Sequence, residues 1–144
     1  MKSLVIYDSN FGNTKTIAEL IAATLHCEAR HVSKASLEAM KNVDLLVVGS
    51  PINAWRPTPA IQKFLSSLEA LTNVRAAGFD TRMKTFLSGN AAKRINNQLK
   101  QKGAKIIAQP KGFYVTGKEG PLEANEKENA ANWANELVQL VNNG

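Results

Sequence analysis

A short segment near the start of the chain, residues 8–16, combines small hydrogen-bonding side chains with one glycine, and this combination can bind a phosphate group. Gly12 permits a positive φ and a close approach of the backbone to a ligand. An apolar run at residues 4–7 precedes the segment, and apolar residues at helical spacing follow it from Ile17. We therefore expect a strand-to-helix turn whose unpaired N–H groups and helix dipole attract an anion. The neutral donors of this turn are Ser9, Asn10, Asn13, Thr14 and Thr16.

The same turn has a purely structural interpretation, because Ser, Asn and Thr commonly cap helices without binding a ligand. Two common nucleotide-binding patterns are absent from the sequence. The nucleoside triphosphate loop requires G-x-x-x-x-G-K-[ST], and the dinucleotide fingerprint requires G-x-G-x-x-G. The turn is thus either a phosphate loop of another class or a simple cap.

Composition predicts one globular domain, 1–144. Of the 144 residues, 44% are hydrophobic and 21% are charged, which is an ordinary balance for a folded domain. The apolar runs are far shorter than the roughly 20 residues of a membrane span. The first run ends at Asp8, too early for the core of a signal peptide. We therefore predict a cytoplasmic protein.

The formal net charge of +6 favours acidic partners or simply increases solubility. The 18 Lys and Arg residues are spread along the chain without an aromatic-rich motif, so nucleic-acid binding is not expected. The single cysteine, Cys27, excludes an internal disulfide, and together with His26 and His31 it lacks the spacing of a metal site. We expect Cys27 to be a small buried or half-buried residue.

Strand and helix patterns alternate along the chain. Apolar or β-branched runs predict strands at residues 4–7, 28–32, 44–49, 74–79 and 105–115. Apolar stripes predict helices around residues 17–25, 61–68 and 92–99, a helical turn at 36–40, and a closing helix from 122 or 123 to 141. Pro110 demands a bulge or an edge position in the last strand. Residues 83–87 fit either a short strand or an ordered loop.

This alternation implies parallel β-α-β units with right-handed crossovers. We predict an α/β fold of three layers, in which helices flank a doubly wound parallel sheet of five strands in the order 2-1-3-4-5. A ligand then lies beyond the carboxyl ends of strands 1 and 3. The loops after strands 1, 3 and 4 all reach this edge of the sheet, and all three have unusual compositions.

These three loops resemble those of the flavodoxin family, and the similarity extends over essentially the whole chain. Residues 9–14 match the family's phosphate loop, with the pattern T/S-x-T/F-G-N-T. Residues 49–55 match its second flavin loop, and residues 79–82 stand where its third loop begins. The resemblance implies a bound flavin mononucleotide (FMN). The residues that it assigns to the cofactor are Ser9, Asn10, Phe11, Gly12, Asn13, Thr14, Pro51, Ile52, Asn53, Ala54, Trp55, Phe79, Asp80 and Thr81.

Side chains in the second and third loops have two interpretations each. Trp55 lies among prolines and outside any periodic pattern, so its ring either stacks on the isoalloxazine or covers the end of the sheet. Asp80 can accept a hydrogen bond from the flavin N3 edge, and Thr81 can donate one to a carbonyl oxygen. Alternatively, Asp80 and Arg82 pair with each other on the surface. Residues 116–121 are expected beside the third loop, as a rim for a partner or substrate.

Two departures from the family pattern concern the surroundings of the flavin. Many flavodoxins place a tyrosine in the third loop over the outer face of the flavin, and here Phe79 or nothing takes that place. Flavodoxins that carry electrons are commonly acidic around the flavin, whereas this chain is basic. These two departures are compatible with FMN binding. They argue against the usual role of an electron carrier with the usual partners.

We therefore expect an FMN-binding electron-transfer protein that meets redox partner proteins, acidic ones among them, and has no catalytic or metal-binding residues. One alternative is a small FMN-dependent reductase acting on a quinone-like acceptor, although no NADPH-binding motif is evident. Another is a flavin-free interaction domain on the same fold. A phosphate-accepting receiver domain shares the fold, but it needs an aspartate where this chain has Gly49-Ser50.

Overall fold

One parallel β-sheet runs through the molecule, and its strand order is the predicted one. The computed structural model describes residues 1–84 and 89–143. The strands are hydrogen-bonded in the order β2-β1-β3-β4-β5, all in parallel, and the sixth strand also pairs with β4. Their bounds are Ser3–Tyr7 (β1), Glu28–His31 (β2), Leu45–Pro51 (β3), Arg75–Met83 (β4), Lys105–Ile106 (β5) and Lys111–Val115 (β6).

The predicted fifth strand is divided into two pieces. Strand β5 pairs with the start of β4, and β6 pairs with its end. Pro110 lies between the two pieces and lacks the N–H group that a continuous ladder needs. The expected irregularity at Pro110 is therefore confirmed.

Helices cover both faces of the sheet. The Thr58 side chain caps the third helix by accepting a hydrogen bond from the Ile61 N–H at 3.3 Å, and Pro59 follows at the first helical position. The closing helix begins later than predicted because Leu122 forms a β-bridge with Val115. The helices are Asn13–Leu25 (α1), Leu37–Met40 (α2), Pro59–Ser67 (α3), Ala91–Gln101 (α4) and Glu126–Asn143 (α5), with a 3-10 turn at Val32–Lys34.

Two hydrophobic cores lie on opposite faces of the sheet. Residues of α1 and α5 form the first core, where the Trp133 ring lies 6.1 Å from Phe79 and 6.0 Å from Phe113 between centroids. Residues of α3 and α4 form the second. Strands β1, β3 and β4 are buried between them, which explains their nearly continuous apolar runs. Within the described residues, no helix has the length and hydrophobicity needed to span a membrane.

Strand β4 is longer than predicted, and this moves the start of the third loop. Residues 79–82 belong to the strand, so the placement of Phe79 and Asp80 in a flavin loop is wrong. Phe79 is fully buried, with its ring 5.9 Å from Phe113, and it cannot cover a flavin. A Cβ on Gly49 of the neighbouring strand would overlap the Phe79 ring. For the segment 83–87, predicted as a short strand or an ordered loop, Met83 is the last residue of β4. Residues 85–87 lie outside the described residues.

Substituting Phe79→Ala should lower the free energy of unfolding by about 3–5 kcal/mol, because it leaves a cavity in a packed core. Urea unfolding followed by circular dichroism measures the difference. The matched control is Phe11→Ala, since the Phe11 side chain is exposed and its loss should change stability by less than about 0.5 kcal/mol. Equal effects of the two substitutions would contradict the assignment of Phe79 to the core.

Candidate functional site

The turn between β1 and α1 has the features of an anion-binding loop. Gly12 adopts a φ of 94° immediately before the helix and has no side chain with which to cap it. The Ser9 Oγ takes the capping role instead, accepting hydrogen bonds from the N–H groups of Gly12 at 3.0 Å and Lys15 at 3.4 Å. The first turn of a helix presents N–H groups that have no partner within the helix. The loop can therefore attract a phosphate through neutral donors and the helix dipole.

A hydrogen bond between two buried hydroxyl groups joins this loop to strand β4. The Thr14 Oγ1 lies 2.8 Å from the Thr81 Oγ1, and both side chains are buried. Thr81 thus lies beside the phosphate loop, although it belongs to a strand rather than to the predicted third loop. The bond fixes the start of α1 against the end of β4.

The second loop contains a tight two-residue turn. Two backbone hydrogen bonds close it, from the Asn53 N–H to the Arg56 oxygen at 2.7 Å and from the Arg56 N–H to the Asn53 oxygen at 3.0 Å. Ala54 and Trp55 occupy the central positions with φ values of 50° and 65°. Positive φ at both central positions defines a type I′ turn, which normally uses Gly or Asn. Such strain in non-glycine residues is concentrated at functional sites.

The turn presents the Trp55 side chain to solvent. Its exposed fraction is 59%, and its backbone packs against Gly89, where a Cβ would lie 2.7 Å from the Trp55 Cα. The end of the segment after β4 thus contacts the second loop through a position that requires glycine. Trp55 is held outside both cores, as its lack of periodicity indicates.

A chain of polar contacts beneath the two loops connects them. One carboxylate oxygen of Asp8 accepts a hydrogen bond from the Thr58 hydroxyl at 2.6 Å, and the other lies 3.1 Å from His31 Nε2. The Thr58 N–H donates to the Ser50 Oγ at 3.0 Å. The phosphate loop and the second loop are therefore joined through the ends of β1, β2 and β3.

The two loops and the end of β4 enclose a cleft of about 350 Å³, a size typical of small-ligand sites. Among the described residues six large hydrophobic side chains are exposed, and three of them line the cleft: Phe11 at 49%, Trp55 at 59% and Met83 at 42%. Exposed apolar surface gathered at one concave place favours a flat, largely apolar ligand. The predicted site residues in the lining are Ser9, Asn10, Phe11, Asn13, Thr14, Pro51, Ile52, Asn53, Ala54, Trp55 and Thr81.

The cleft is also lined by four residues that the sequence analysis did not assign to it: Arg82, Met83, Val115 and Lys118. Arg82 and Met83 are the last two residues of β4, so recognising the full length of that strand would have placed them at the edge of the sheet where the cleft lies. Lys118 belongs to the loop 116–121, which was expected at this edge of the sheet. That loop also contacts the phosphate loop, because the Asn13 Nδ2 donates a hydrogen bond to the backbone carbonyl oxygen of Glu119 at 3.2 Å.

Asp80 does not face the cleft, so its predicted role toward the flavin N3 edge is wrong. Its carboxylate is fully buried and accepts hydrogen bonds from the Arg82 Nε at 2.7 Å, the Arg82 Nη2 at 2.6 Å and the Ala92 N–H at 2.9 Å. Burial raises the pKa of Asp80, and its partners act in the opposite direction. The pairing of Asp80 with Arg82 is present, but inside the protein rather than on its surface.

Comparison with known proteins identifies the family. Residues 4–122 match the flavodoxin domain family. An uncharacterised protein of Methanocaldococcus jannaschii is 33% identical over 120 residues, covering 81% of this chain and 79% of that protein. A flavodoxin of Aquifex aeolicus is 43% identical over 73 residues, covering 46% of this chain and 40% of that one. The structure of oxidised Flavodoxin 1 from Bacillus cereus has the same fold, with a TM-score of 0.81 at 19% identity over 96% of this chain and 98% of its own. The chain belongs to the flavodoxin family.

Proposed function

We propose that the protein binds FMN in this cleft without a covalent bond and carries electrons between redox partner proteins. The observation that carries the proposal is that the neutral phosphate loop and the exposed Trp55 open onto one cleft. Membership of the flavodoxin family implies a flavin cofactor, and flavodoxins act as electron carriers. When bound, the flavin supplies the redox chemistry by accepting and releasing one or two electrons.

The residues of the cleft fit the two unlike ends of FMN. Residues 9–14 would hold the phosphate through hydroxyl, amide and backbone N–H donors, which need no cationic side chain. Phe11, Trp55 and Met83 would offer apolar surface to the isoalloxazine and exclude water from it. The backbone of residues 51–55 would position the ring and the ribityl chain. Thr81 would fix the loop through Thr14 rather than contact the ring through a third loop.

The net charge of +6 favours acidic redox partners, because complementary charge steers the encounter of two proteins. Arg56 and Lys118 lie in the loops around the cleft, where a partner must approach for electron transfer. A cytoplasmic location remains part of the proposal.

One observation favours a second candidate, a small FMN-dependent reductase of a quinone-like acceptor. Trp55 and Lys118 line the same cleft, so the loop 116–121 and the second loop could enclose a small planar acceptor beside the flavin. A flavin-free interaction domain is the third candidate. It is less favoured, because it provides no ligand for the apolar side chains that line the cleft.

Adding FMN to the ligand-free protein should produce bound-flavin absorption near about 375 and 450 nm and should quench tryptophan emission, because the flavin lies against Trp55. Trp55→Phe should lose the larger part of this quenching. Trp133→Phe is the matched control, since Trp133 lies in the core and its loss should leave most of the quenching in place. Absence of both the bands and the quenching would overturn FMN binding and favour the interaction domain.

Gly12→Val should raise the Kd for FMN at least about tenfold, because a β-branched residue resists the left-handed conformation that the loop requires. A Cβ at Gly12 would meet no protein atom within 4 Å, so the effect comes from backbone conformation rather than from a clash. Gly12→Asn is the control, since Asn tolerates positive φ and should bind more tightly than the valine variant. Fluorescence titration with FMN measures all three proteins, and equal affinities would contradict the assigned conformation.

An electron carrier and a reductase differ in whether the isolated protein turns over NADPH and a quinone without a partner protein. Loaded with FMN, the isolated protein should not oxidise NADPH in the presence of a quinone, because a carrier depends on a separate reductase for its electrons. Adding a flavodoxin reductase should restore electron flow to an acceptor protein such as a cytochrome. Sustained turnover of NADPH and quinone by the isolated protein, above that of free FMN, would favour the reductase instead.

A further inference from the structure

The cleft has a positive lining, which the sequence did not reveal. Its charged residues are Arg82 and Lys118, and no carboxylate lines it among the residues that the structure describes. Lys118 extends from an exposed loop, where salt screens its charge. Arg82 is half-buried on strand β4, where screening is weaker. Arg82 is therefore the more effective cation at this site.

Contacts on several sides fix the Arg82 guanidinium in place. It forms a two-bond ion pair with Asp80, through Nε at 2.7 Å and Nη2 at 2.6 Å. The Nη2 also donates to the Asn90 Oδ1 at 3.1 Å, and Asn90 is the residue that caps α4. Strand β6 leaves space for the side chain through Gly112, where a Cβ would lie 2.5 Å from the Arg82 Nε. A planar guanidinium held by these contacts has little freedom to change its orientation.

The two residues of the ion pair differ in their relation to the cleft. Arg82 lines the cleft, whereas Asp80 is fully buried and does not. Of the two residues of the pair, only Arg82 adjoins a ligand bound in the cleft. Burial lowers the pKa of Arg82, but the hydrogen bonds and charge of Asp80 more than compensate, and the pKa lies above its ordinary range. Arg82 is therefore charged at neutral pH.

We propose that Arg82 stabilises the reduced, anionic form of the cofactor, an inference that rests on the proposed binding of FMN. Full reduction adds two electrons from a donor protein and one proton from solvent, which leaves one negative charge on the isoalloxazine. A fixed cation in the cleft lowers the free energy of this charged product more than that of the neutral oxidised ring. The reduction potential is therefore higher than the same cleft would give without Arg82.

The test compares the affinities for oxidised and reduced FMN in variants of Arg82. Fluorescence titration gives the Kd of the oxidised form, and a potentiometric titration of the complex converts it into the Kd of the reduced form. Arg82→Gln should weaken binding of reduced FMN relative to oxidised FMN by roughly tenfold, which is about 30 mV for a two-electron couple. Arg82→Lys retains the charge but not the two-bond geometry, so its potential should lie between those of the wild type and Arg82→Gln. Arg94→Gln removes an exposed cation of α4 and should change neither quantity.

Arg82→Gln leaves the buried Asp80 without its partner, so the double variant Asp80→Asn/Arg82→Gln covers the case in which the single variant does not fold. The double variant should lower the potential as well, because the removed carboxylate does not line the cleft. A loosened fold without a charge effect would weaken both forms of FMN equally and leave the potential unchanged, which would overturn the role of Arg82. Failure of the wild type to bind FMN would instead overturn the proposed function, and this inference with it.

Discussion

Burial of the central strands on both faces is the constraint that gathers the site at one edge of the sheet. Helices cover both sides of β1, β3 and β4, so unpaired polar side chains are costly anywhere along them. Parallel strands also end at a common edge, and the polar residues Asp8, Ser50 and Thr81 lie where three of these strands end. Their hydrogen bonds to Thr58 and Thr14 satisfy the polar groups and connect the loops. The position of the site therefore follows from the need to hydrogen-bond the polar groups where the buried strands end.

The rigid frame also supports conformations that would be unfavourable in isolation. Ala54 and Trp55 each have positive φ, at a cost on the order of 1–3 kcal/mol per residue. The closing hydrogen bonds of the turn and the packing of Gly89 on Trp55 oppose relaxation. A strained turn on a stable sheet thus holds a large aromatic ring in one place at the cleft. This preorganisation reduces the entropy that binding must overcome.

The strand order, the existence of the helices and the positions of the first two loops could be predicted because local pattern and tertiary structure agree there. The Ser9 side chain and the positive φ of Gly12 shape the turn before α1, and Trp55 lines the cleft. Prediction failed at β4, because a charged residue such as Asp80 normally ends a buried strand. Arg82 and the Ala92 N–H compensate that charge, and both lie where only the folded chain brings them. The type I′ turn gave no local signal either, since Ala54 and Trp55 replace the Gly and Asn that usually mark it.

The two outer strands differ sharply from the central ones. Strand β2 has four residues and includes the charged Glu28 and Arg30, and the opposite edge is divided into β5 and β6 around Pro110. Short, charged or interrupted edges are poor templates for pairing with a strand of another molecule. The sheet is thereby protected against edge-to-edge aggregation on both sides. The loops and helices are consequently the surfaces that the fold leaves open to other molecules, and the cleft lies among those loops.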